Sequence, residues 1–538
     1  MPGAHGRRKM RRAAAGFSAR AAADILAGLP WNCYAAAMSD CLELALDGLS
    51  HDGRGIGHLP RPEPPDGRGI AVFVAGGLPG QFVRCRVLRR KPRFLEAGLV
   101  EVLRGAPEES PPLCPHHAAG DARACGGCPL QTMPYGRQLE WKARLARDAL
   151  TRIGGLDAGL LGTAWEGTLP SPALDGFRNR MTFAFGPAAG GLILGQRSRG
   201  GADVVPTPDC ALLPPGGREL LAEVQEAAAA SGLAAWRASG RRGGKSSGGR
   251  GFWRFLTLRQ GRMPGMETPR WWAVCLTSPG NRAERAAVRA LGERLLGLGG
   301  ASSLGGFIHE ERRQDDALAI GERRILCMDC QGAENPDAAI LCLPLGGRSF
   351  ALDAASFFQV NTGAAALLAH AVQKMAPASG HGLLDLYCGV GAPGQLLAPR
   401  FETVLGLEAD NRAVALARRN AVEAGLPGCR YVAGDAGELL QQLAAGGPPP
   451  GMPAAKLPRW DTVLLDPPRA GLAPGAVESL LRMAPVQLVY VSCNPATLAR
   501  DAARLSAAYT LERLTAVDLF PHTPHLECCS LWRRKASA

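Results

Sequence analysis

One cysteine of this chain, Cys493, has the surroundings of a reactive thiol. An apolar run, LVYV, leads into Ser492-Cys493-Asn494-Pro495, and a helical pattern begins at Thr497. Open α/β folds carry their chemistry on turns of this kind, at the carboxyl ends of their strands. Asn and Pro interrupt regular structure, so they would hold the thiol out of the core. Cys493 is therefore a candidate nucleophile, although a small buried residue is the commoner role of a free cysteine.

Two carboxylates come at the ends of strand patterns that lie before and after Cys493 in the chain. The apolar run DTVLLD ends at Asp466, and the two prolines that follow would make a rigid ledge there. Further along, Glu527 begins the apolar run ECCSLW. A glutamate at the start of such a strand is unusual unless it faces a site. Glu527 is therefore a better candidate for a general base than His522 or His525, which more often cap or orient.

A glycine turn predicts a cofactor site. Residues 383–394, LLDLYCGVGAPG, read as a strand, a turn and a helix, in which Gly389 and Gly391 let a ligand approach the backbone. The next strand ends at Glu408, where a carboxylate can bind a ribose diol. A nicotinamide cofactor is possible, but D-x-x-C-G-x-G without G-x-G-x-x-G favours S-adenosylmethionine. Asp435, after the following strand, is either an acceptor for the adenine amino group or a plain helix cap.

Three cysteines have the spacing of metal ligands. Cys114 precedes Cys125-Gly-Gly-Cys128-Pro, and the glycines of a C-x2-C turn let two thiolates point at one ion. A fourth ligand must come from elsewhere, and Cys210 is the best candidate. Four cysteines can hold zinc or an iron–sulfur cluster, and the spacing alone does not separate these.

Composition describes an ordinary globular protein with a basic excess. The chain has 538 residues, 46% hydrophobic and 20% charged, which suggests about three domains. Its formal net charge of +13 suits a polyanionic partner such as nucleic acid, although a compositional bias toward arginine would have the same effect. The sequence shows no signal peptide and no apolar run long enough for a membrane span. We therefore expect a cytoplasmic protein with reduced thiols and no obligate protein partner.

The order of the patterns predicts four regions. Residues 1–40 are an Ala/Arg-rich extension that we expect to be disordered, and residues 41–105 predict a five-stranded OB-like barrel. Residues 106–345 predict an α+β domain with the cysteine cluster and a flexible basic loop near 238–251. Residues 346–538 alternate strands and helices, which predicts a doubly wound parallel sheet. The last barrel strands carry basic residues that suit single-stranded nucleic acid: Arg84, Arg86, Arg89, Arg90, Lys91 and Arg93.

Taken together, DLYCGVG, DPPRAGL, VSCNPATLARD and FPHTPHLE resemble the RNA uracil-5-methyltransferases. The barrel is similar to that family's TRAM domain, and the cysteines resemble the iron–sulfur members, which usually act on 23S ribosomal RNA. The resemblance implies a Rossmann-like methyltransferase domain, an RNA loop as partner, Cys493 as nucleophile and Glu527 as base. It implies S-adenosylmethionine contacts at Gln359, Tyr387, Glu408 and Asp466. It implies a [4Fe–4S] cluster, with zinc as the alternative, on Cys114, Cys125, Cys128 and Cys210.

Two departures from the family pattern leave alternatives open. The gap between Cys114 and Cys125 is longer than usual, and Ala392-Pro393 replaces the usual Asn or Thr and aromatic residue. The alternatives are a transfer-RNA uridine methyltransferase and an RNA-binding protein with an inactive methyltransferase domain. An amino-group methyltransferase would not need the thiol, and an RNA cytosine-5-methyltransferase would need a second catalytic cysteine in a PC motif.

Overall fold

The structure is a computed structural model that describes residues 40–60, 69–188, 191–201, 203–238, 251–451 and 458–536. It divides into two compact units. The first contains the described residues up to Gln138, with Ser198–Gly200 and His522–Pro524, and the second contains the rest. The predicted extension at 1–40, apart from its last residue, and nearly all of the predicted basic loop at 238–251 lie outside the described residues.

The first unit contains the predicted five-stranded barrel. Its strands pair in the closed order β1-β2-β3-β5-β4. The alternation of IAVFVA along β3 explains the packing, because every second side chain is buried inside the barrel. The barrel strands are β1 Cys41–Leu49, β2 Gly55–Leu59, β3 Ile70–Ala75, β4 Phe82–Arg90 and β5 Phe94–Arg104.

Several predicted basic residues of the barrel are paired with acids of the same unit. Arg84 forms ion pairs with Glu43 and Glu101, Arg90 with Asp40 and Arg89 with Glu96. Each of these exposed ion pairs stabilises the fold by at most about 1 kcal/mol. An anionic partner could therefore compete with the acids for the arginines on these barrel strands.

The second unit contains two sheets. The nine-stranded sheet runs β13-β12-β11-β10-β7-β8-β9, with β14 paired to β10 and to β15. Strand β6, Trp165–Leu169, belongs to the other sheet. The strands of the nine-stranded sheet are β7 Arg180–Ala188, β8 Gly191–Arg197, β9 Val204–Pro206, β10 Trp253–Arg262, β11 Pro269–Thr277, β12 Leu304–Glu311, β13 Arg323–Asp329, β14 Ile340–Leu345 and β15 Arg348–Asp353.

The eight-stranded sheet has the order β18-β17-β16-β19-β20-β22-β21-β6. Its remaining strands are β16 Gly380–Leu386, β17 Phe401–Glu408, β18 Cys429–Ala433, β19 Trp460–Leu465, β20 Gln487–Ser492, β21 Tyr509–Val517 and β22 Glu527–Arg534. Strands β16 to β20 are parallel, as the strand–helix alternation predicts. The predicted parallel arrangement is wrong for the last strand, since β22 pairs antiparallel with both β20 and β21. A parallel strand needs a long crossover, and the connection from β21 to β22 contains no helix.

Helices flank both sheets of this unit. The described helices are α1 Tyr135–Arg152, α2 Ala158–Ala164, α3 Gly217–Ala230, α4 Arg282–Leu296, α5 Thr362–Met375, α6 Ala392–Leu397, α7 Asn411–Glu423, α8 Ala436–Ala444, α9 Ala476–Met483 and α10 Pro495–Leu505. Short 3-10 turns occupy Gly300–Ser302, Pro336–Ala339 and Ala398–Arg400. None of the described helices is both long and apolar enough to cross a membrane.

Candidate active site

The backbone around Cys493 is held by the residues on either side of it. β20 ends at Ser492, one residue before the cysteine. Ser492 Oγ donates to the carbonyl oxygen of Asn494 at 3.1 Å and accepts from its N–H at 3.2 Å. Cys493 is half-buried, so its thiol is neither locked in the core nor freely exposed.

The helix after the cysteine begins earlier than the pattern predicts. Asn494 caps α10 by accepting from Ala496 N at 3.1 Å, and Pro495 is its first residue. We expected the helix to begin at Thr497 because proline usually breaks helices. Proline is tolerated at the first helical position, where its missing N–H would have no partner in any case.

Cys493 and Glu527 lie at the same end of two neighbouring strands. The antiparallel pairing of β20 with β22 ends with Ser492 opposite Cys528, and Cys493 and Glu527 are the next residues beyond that pair on the two chain segments. Glu527 is 3% exposed and is also paired with Val517 of β21. The two predicted catalytic residues therefore meet at one edge of the sheet.

Ionisation is unfavourable for all three acids of this edge. Burial raises the pKa of Cys493 to about 11, and the charges of Glu527 and Asp466 add to that shift. Burial raises the pKa of Glu527 to about 8, with Asp466 adding to it, and the pKa of Asp466 to about 7. Arg469 opposes the shift at both Cys493 and Glu527. The sequence analysis assigned no role to Arg469, although its position in the DPPR motif, three residues after Asp466, indicates that it lies near the site.

The loop that carries Arg469 is tied to α10. Asn494 Nδ2 donates to the carbonyl oxygen of Arg469 at 3.1 Å, and Thr497 Oγ1 donates to the same oxygen at 3.4 Å. The Arg469 side chain also lies 3.5 Å from Nε2 of His525. His525 therefore contacts an electrostatic partner of the thiol, which fits the orienting role expected for the histidines. His522 belongs to the first unit, where its N–H donates to Gln138 Oε1 at 2.8 Å.

The glycine turn follows β16 and is hydrogen-bonded to the carboxylate at the end of β17. Gly389 N donates to Glu408 Oε2 at 3.0 Å, and Asp410 N donates to Oε1 of the same carboxylate at 2.9 Å. Gly389 has φ of 53° and nothing lies within 4 Å of the position a Cβ would take. Gly391 has φ of 81°, and a Cβ there would lie 2.8 Å from Tyr431 Oη. Gly389 therefore leaves open space beside Glu408, whereas Gly391 is required by packing.

Tyr387 and Asp435 also belong to this region. Tyr387 has φ of 63°, and its hydroxyl accepts from Ala473 N at 3.4 Å. Asp435 caps α8 by accepting from Glu438 N at 2.9 Å. The charge of Asp435 contributes to the raised pKa of Tyr387, whose largest cause is burial, so the two lie close together.

A cleft brings together Gln359, Pro393 and Asp466, which belong to different segments of the chain. Its lining is otherwise mostly apolar, as in small-molecule sites generally. Pro393 itself forms part of the wall, so the departure at Ala392-Pro393 leaves the cleft in place. With the open space at Gly389 and the carboxylate of Glu408, these residues fit S-adenosylmethionine.

Asp385, which carried no predicted role, is part of the same loop. It is 1% exposed and accepts from Gly394 N at 3.1 Å. Burial raises its pKa well above the usual range, and the charge of Asp466 adds to this. Its position at the head of D-x-x-C-G-x-G was the available signal.

The predicted metal ligands are not assembled in the described structure. Cys114, Cys125 and Cys128 belong to the first unit and Cys210 to the second. Burial raises the pKa of Cys125, with the charge of Cys114 adding to the shift and Arg199 opposing it. Within the described ranges, no group of three or more His, Cys, Asp or Glu side chains is placed to hold a metal ion. The cluster, and zinc in its place, therefore remains a prediction.

Known proteins resemble this chain over most of its length. Residues 340–535 match the family model described as tRNA (Uracil-5-)-methyltransferase, and residues 41–100 match the TRAM domain. An uncharacterized RNA methyltransferase of Nitratidesulfovibrio vulgaris is 37% identical over 496 residues, 92% of this chain and 96% of the relative. One of Gloeobacter violaceus is 30% identical over 512 residues, 95% of this chain and 100% of the relative.

A solved structure covers most of the chain as well. The crystal structure of Pyrococcus abyssi tRNA (uracil-54, C5)-methyltransferase in complex with S-adenosyl-L-homocysteine matches with a TM-score of 0.64 and 25% identity. The match covers 91% of this chain and 100% of that one. This chain, with its N-terminal TRAM domain, therefore belongs to the tRNA (uracil-5-)-methyltransferase family of S-adenosylmethionine-dependent RNA methyltransferases.

Proposed function

We propose that this enzyme methylates carbon 5 of a uridine in RNA through a covalent adduct between Cys493 and carbon 6 of the base. The observation that carries this proposal is the strand pairing that ends with Ser492 opposite Cys528 and so brings Cys493 and Glu527 to the same end of β20 and β22, where the charge of Glu527 acts on the thiol. An amino-group methyltransferase needs neither residue, since an exocyclic nitrogen attacks a methyl group directly.

The thiol is needed because carbon 5 of uracil is a weak nucleophile. When Cys493 Sγ bonds to carbon 6, the electron pair of the 5,6 double bond moves into the ring as an enolate, and carbon 5 gains nucleophilic character. S-adenosylmethionine, when bound, would supply the methyl group from its sulfonium, and breaking the methyl–sulfur bond would leave S-adenosylhomocysteine. Carbon 5 then carries both a methyl group and a proton, and the adduct persists until that proton leaves.

Two different side chains accept the two protons of the reaction, the thiol proton and the carbon 5 proton. With a pKa raised to about 11, Cys493 is protonated at neutral pH, and Arg469 favours its thiolate. The thiol proton must leave before the attack, and the nearest acid whose charge acts on Cys493 besides Glu527 is Asp466, which we propose as its acceptor. Glu527, with a pKa of about 8, is poised near the working pH of a general base and removes the proton from carbon 5. The electron pair of that C–H bond reforms the double bond and expels the Cys493 thiolate.

A trapping experiment tests Cys493 as the nucleophile. A 5-fluorouridine RNA should form a covalent complex with the wild-type enzyme and S-adenosylmethionine, because the base cannot remove fluorine from carbon 5. Cys493→Ala should form none. A complex that survives Cys493→Ala would sink the mechanism. No complex with the wild type would favour an RNA-binding protein with an inactive methyltransferase domain.

The role of Glu527 has its own test. With ordinary uridine RNA, Glu527→Gln should accumulate a covalent complex that the wild type resolves, since the carbon 5 proton stays in place. A heat-stable shift of the protein on a denaturing gel reports it. Rapid turnover by Glu527→Gln without accumulation would assign the base to another residue.

The RNA must present an unstacked base to reach Cys493, so we propose a loop substrate, from large-subunit ribosomal RNA. The resemblance to iron–sulfur members supports this choice, and the TRAM domain with its basic edge would contact phosphates. Transfer RNA is the second candidate, favoured by the likeness to the Pyrococcus abyssi enzyme. Mapping 5-methyluridine in both RNAs, with and without the gene, decides between them.

The remaining expectations stay proposals. These are the domain limits, the cytoplasmic location and the [4Fe–4S] cluster on Cys114, Cys125, Cys128 and Cys210. The absorption spectrum of anaerobically purified protein tests the cluster, since visible bands from iron would support it and a colourless zinc-bearing protein would contradict it.

A further inference from the structure

One buried side chain of the second unit, Asn420 of α7, joins two segments that are distant in the chain. It is 3% exposed. Its Oδ1 accepts from the N–H of Ala351 at 2.9 Å, and its Nδ2 donates to the carbonyl oxygens of Ala351 at 3.0 Å and of Val390 at 3.1 Å. Both hydrogens of the carboxamide are therefore used. None of the residues assigned to methyl transfer takes part in these bonds.

The first of these segments is an edge of the nine-stranded sheet. Among the described strands β15 pairs only with β14, and Ala351 lies opposite Cys342 of that strand. The outward N–H and carbonyl groups of an edge strand have no neighbouring strand to bond. At Ala351 the carboxamide of Asn420 bonds both groups, as a peptide of a further strand would. Asn420 therefore covers the free edge of β15 at this residue.

The second segment is the glycine turn of the proposed cofactor site. Val390 lies between Gly389 and Gly391, and the N–H of Gly391 closes the turn on the carbonyl oxygen of Cys388 at 2.8 Å. Glycine has a wide choice of backbone conformations, so a turn with two glycines needs contacts from outside to keep one shape. The bond from Asn420 to the Val390 carbonyl is such a contact.

A further contact joins β15 to the helix that follows the turn. Arg348, the first residue of β15, donates from Nη1 to the carbonyl oxygen of Gln395 in α6 at 3.0 Å. Gln395 is 0% exposed, and its Nε2 donates to the carbonyl oxygen of Ala417 in α7 at 2.9 Å. The side chains of Val390 and Ala351 also belong to one apolar cluster. The turn, α6, α7 and β15 are thus connected by buried contacts.

We propose that Asn420 positions the glycine turn for S-adenosylmethionine by tying it to β15, so that cofactor binding and the order of β15 are coupled. An apolar side chain would fill the same space without needing partners, whereas this carboxamide holds the main chain of two segments. Gly389, next to Val390, is where the turn leaves open space, so a shift of Val390 would move that space. A turn that is already ordered loses less conformational entropy when its ligand binds.

The proposal rests on the cofactor site assigned to the glycine turn and not on the covalent mechanism at Cys493. Because the coupling is a free energy shared by the two segments, it acts in both directions. The cofactor should order β15, and loss of the contact with β15 should weaken the cofactor.

Calorimetric titration of S-adenosylmethionine into the full chain tests the positioning role. Asn420→Ala should weaken the affinity by about tenfold or more, since the Val390 carbonyl loses its donor and the turn is free to move. Gln487→Ala is the matched control, because Gln487 is a 1% exposed carboxamide that donates to Thr462 at 3.3 Å at the start of β20. This control should lower the melting temperature and leave the cofactor affinity unchanged.

Hydrogen exchange, followed by mass spectrometry, tests the coupling without any turnover. The Ala351 N–H donates to Asn420, so its exchange reports whether this contact is closed. Saturating S-adenosylmethionine should slow the exchange of a peptide that contains Ala351 in the wild type and in Gln487→Ala. In Asn420→Ala the same peptide should exchange faster without cofactor and should no longer respond to it.

Arg348→Met provides a second variant, which leaves Asn420 in place and removes the bond to the Gln395 carbonyl. It should weaken cofactor binding by less than Asn420→Ala but more than Gln487→Ala. If Asn420→Ala does not fold, Arg348→Met decides whether β15 holds the turn. Wild-type affinity in the folded variant that decides, or exchange at Ala351 that does not change when the cofactor binds the wild type, would overturn the proposal.

Gly389→Ala separates failure of this proposal from failure of the cofactor site. If Gly389→Ala weakens cofactor binding and Asn420→Ala does not, the cofactor site stands and the positioning role is wrong. If neither variant weakens binding, the cofactor lies elsewhere and both are wrong. Trapping on 5-fluorouridine RNA is a separate readout, so failure of the covalent mechanism would not be mistaken for failure of this proposal.

Discussion

Tyr490 donates a hydrogen bond of 2.8 Å from its hydroxyl to Oδ2 of Asp501, within the core of the eight-stranded sheet. The same oxygen accepts from Leu472 N at 3.0 Å, and Oδ1 accepts from the Arg500 side chain at 2.7 and 2.9 Å. Asp501 is 0% exposed. One carboxylate therefore links the strand that leads to Cys493, the helix that follows it and the loop of Arg469.

Removing this carboxylate should destabilise the protein far more than removing the tyrosine hydroxyl. Asp501→Ala leaves Leu472 N–H and the Tyr490 hydroxyl without their acceptor, which should lower the free energy of unfolding by about 3–5 kcal/mol. Tyr490→Phe should lower it by about 1 kcal/mol. Urea unfolding measures both. Equal effects of the two variants would show that Asp501 does not carry the connection.

Glu527 should make the protein less stable as pH rises. Its pKa is about 8 in the folded protein, above the ordinary value of 4.5, so the folded state holds the proton more tightly. The free energy of unfolding should therefore fall between pH 4.5 and pH 8. Glu527→Gln removes this dependence, and above pH 8 it should be the more stable protein by something on the order of 5 kcal/mol.

Chemical unfolding at pH 4.5 and pH 9 checks this prediction. At the lower pH the two proteins should be nearly equally stable, because Glu527 is then protonated in the folded state and about half protonated in the unfolded state. A Glu527→Gln protein that is less stable than the wild type at pH 9 would contradict the raised pKa.

Alanine substitutions at Gly389 and Gly391 of the cofactor turn should have different effects on stability and on cofactor binding. Alanine at either position costs about 1–2 kcal/mol for the positive φ. Gly391→Ala should lose a further 1–3 kcal/mol or so, because its Cβ would collide with Tyr431 and Gln395. Gly389→Ala meets no protein atom, so it should weaken S-adenosylmethionine binding more than it weakens folding.

Calorimetric titration of S-adenosylmethionine and urea unfolding separate the two glycine effects, and each variant serves as the control for the other. Unimpaired cofactor binding by Gly389→Ala would place the cofactor away from this turn.

A buried ion pair holds the segment that leads to Glu527. Lys142 Nζ lies 2.7 Å from Asp518 Oδ1 with both side chains fully buried, and it also donates to the carbonyl oxygen of Phe520 at 3.0 Å. Lys142→Met should cost about 3–5 kcal/mol, since it leaves Asp518 buried without the lysine's charge. The double variant Lys142→Met with Asp518→Leu should recover most of that loss.

A double-mutant cycle measures the coupling in this pair. Additive effects of the two substitutions would show that the pair does not act as a unit.

Features that depend on near neighbours in the chain were predictable. The alternation in IAVFVA predicts a barrel strand, and the barrel is present because alternate burial needs nothing beyond the strand and its neighbours. The position of Glu527 at the start of a strand was likewise readable from its own segment. The helix start at Pro495 was missed because a proline and an Asn cap together favour initiation rather than interruption.

The metal site shows where local spacing stops being informative. Cys125-x2-Cys128 satisfies the pattern of a ligand pair, but a metal needs four donors converging on one point. Cys210 lies far along the chain, and its distance from the pair is a property of the folded chain. The described structure forms no such donor group.

The sequence by itself determined which groups could react: a turn cysteine, a strand-end carboxylate and a glycine turn. The tertiary structure alone decided which of them meet. Cys493 lies at the same end of the strand pair as Glu527, and Arg180 is opposite Arg259, because strand order and register join segments that are distant in the chain. The raised pKa of Cys493 follows for the same reason, since it depends on burial and on charges from other strands.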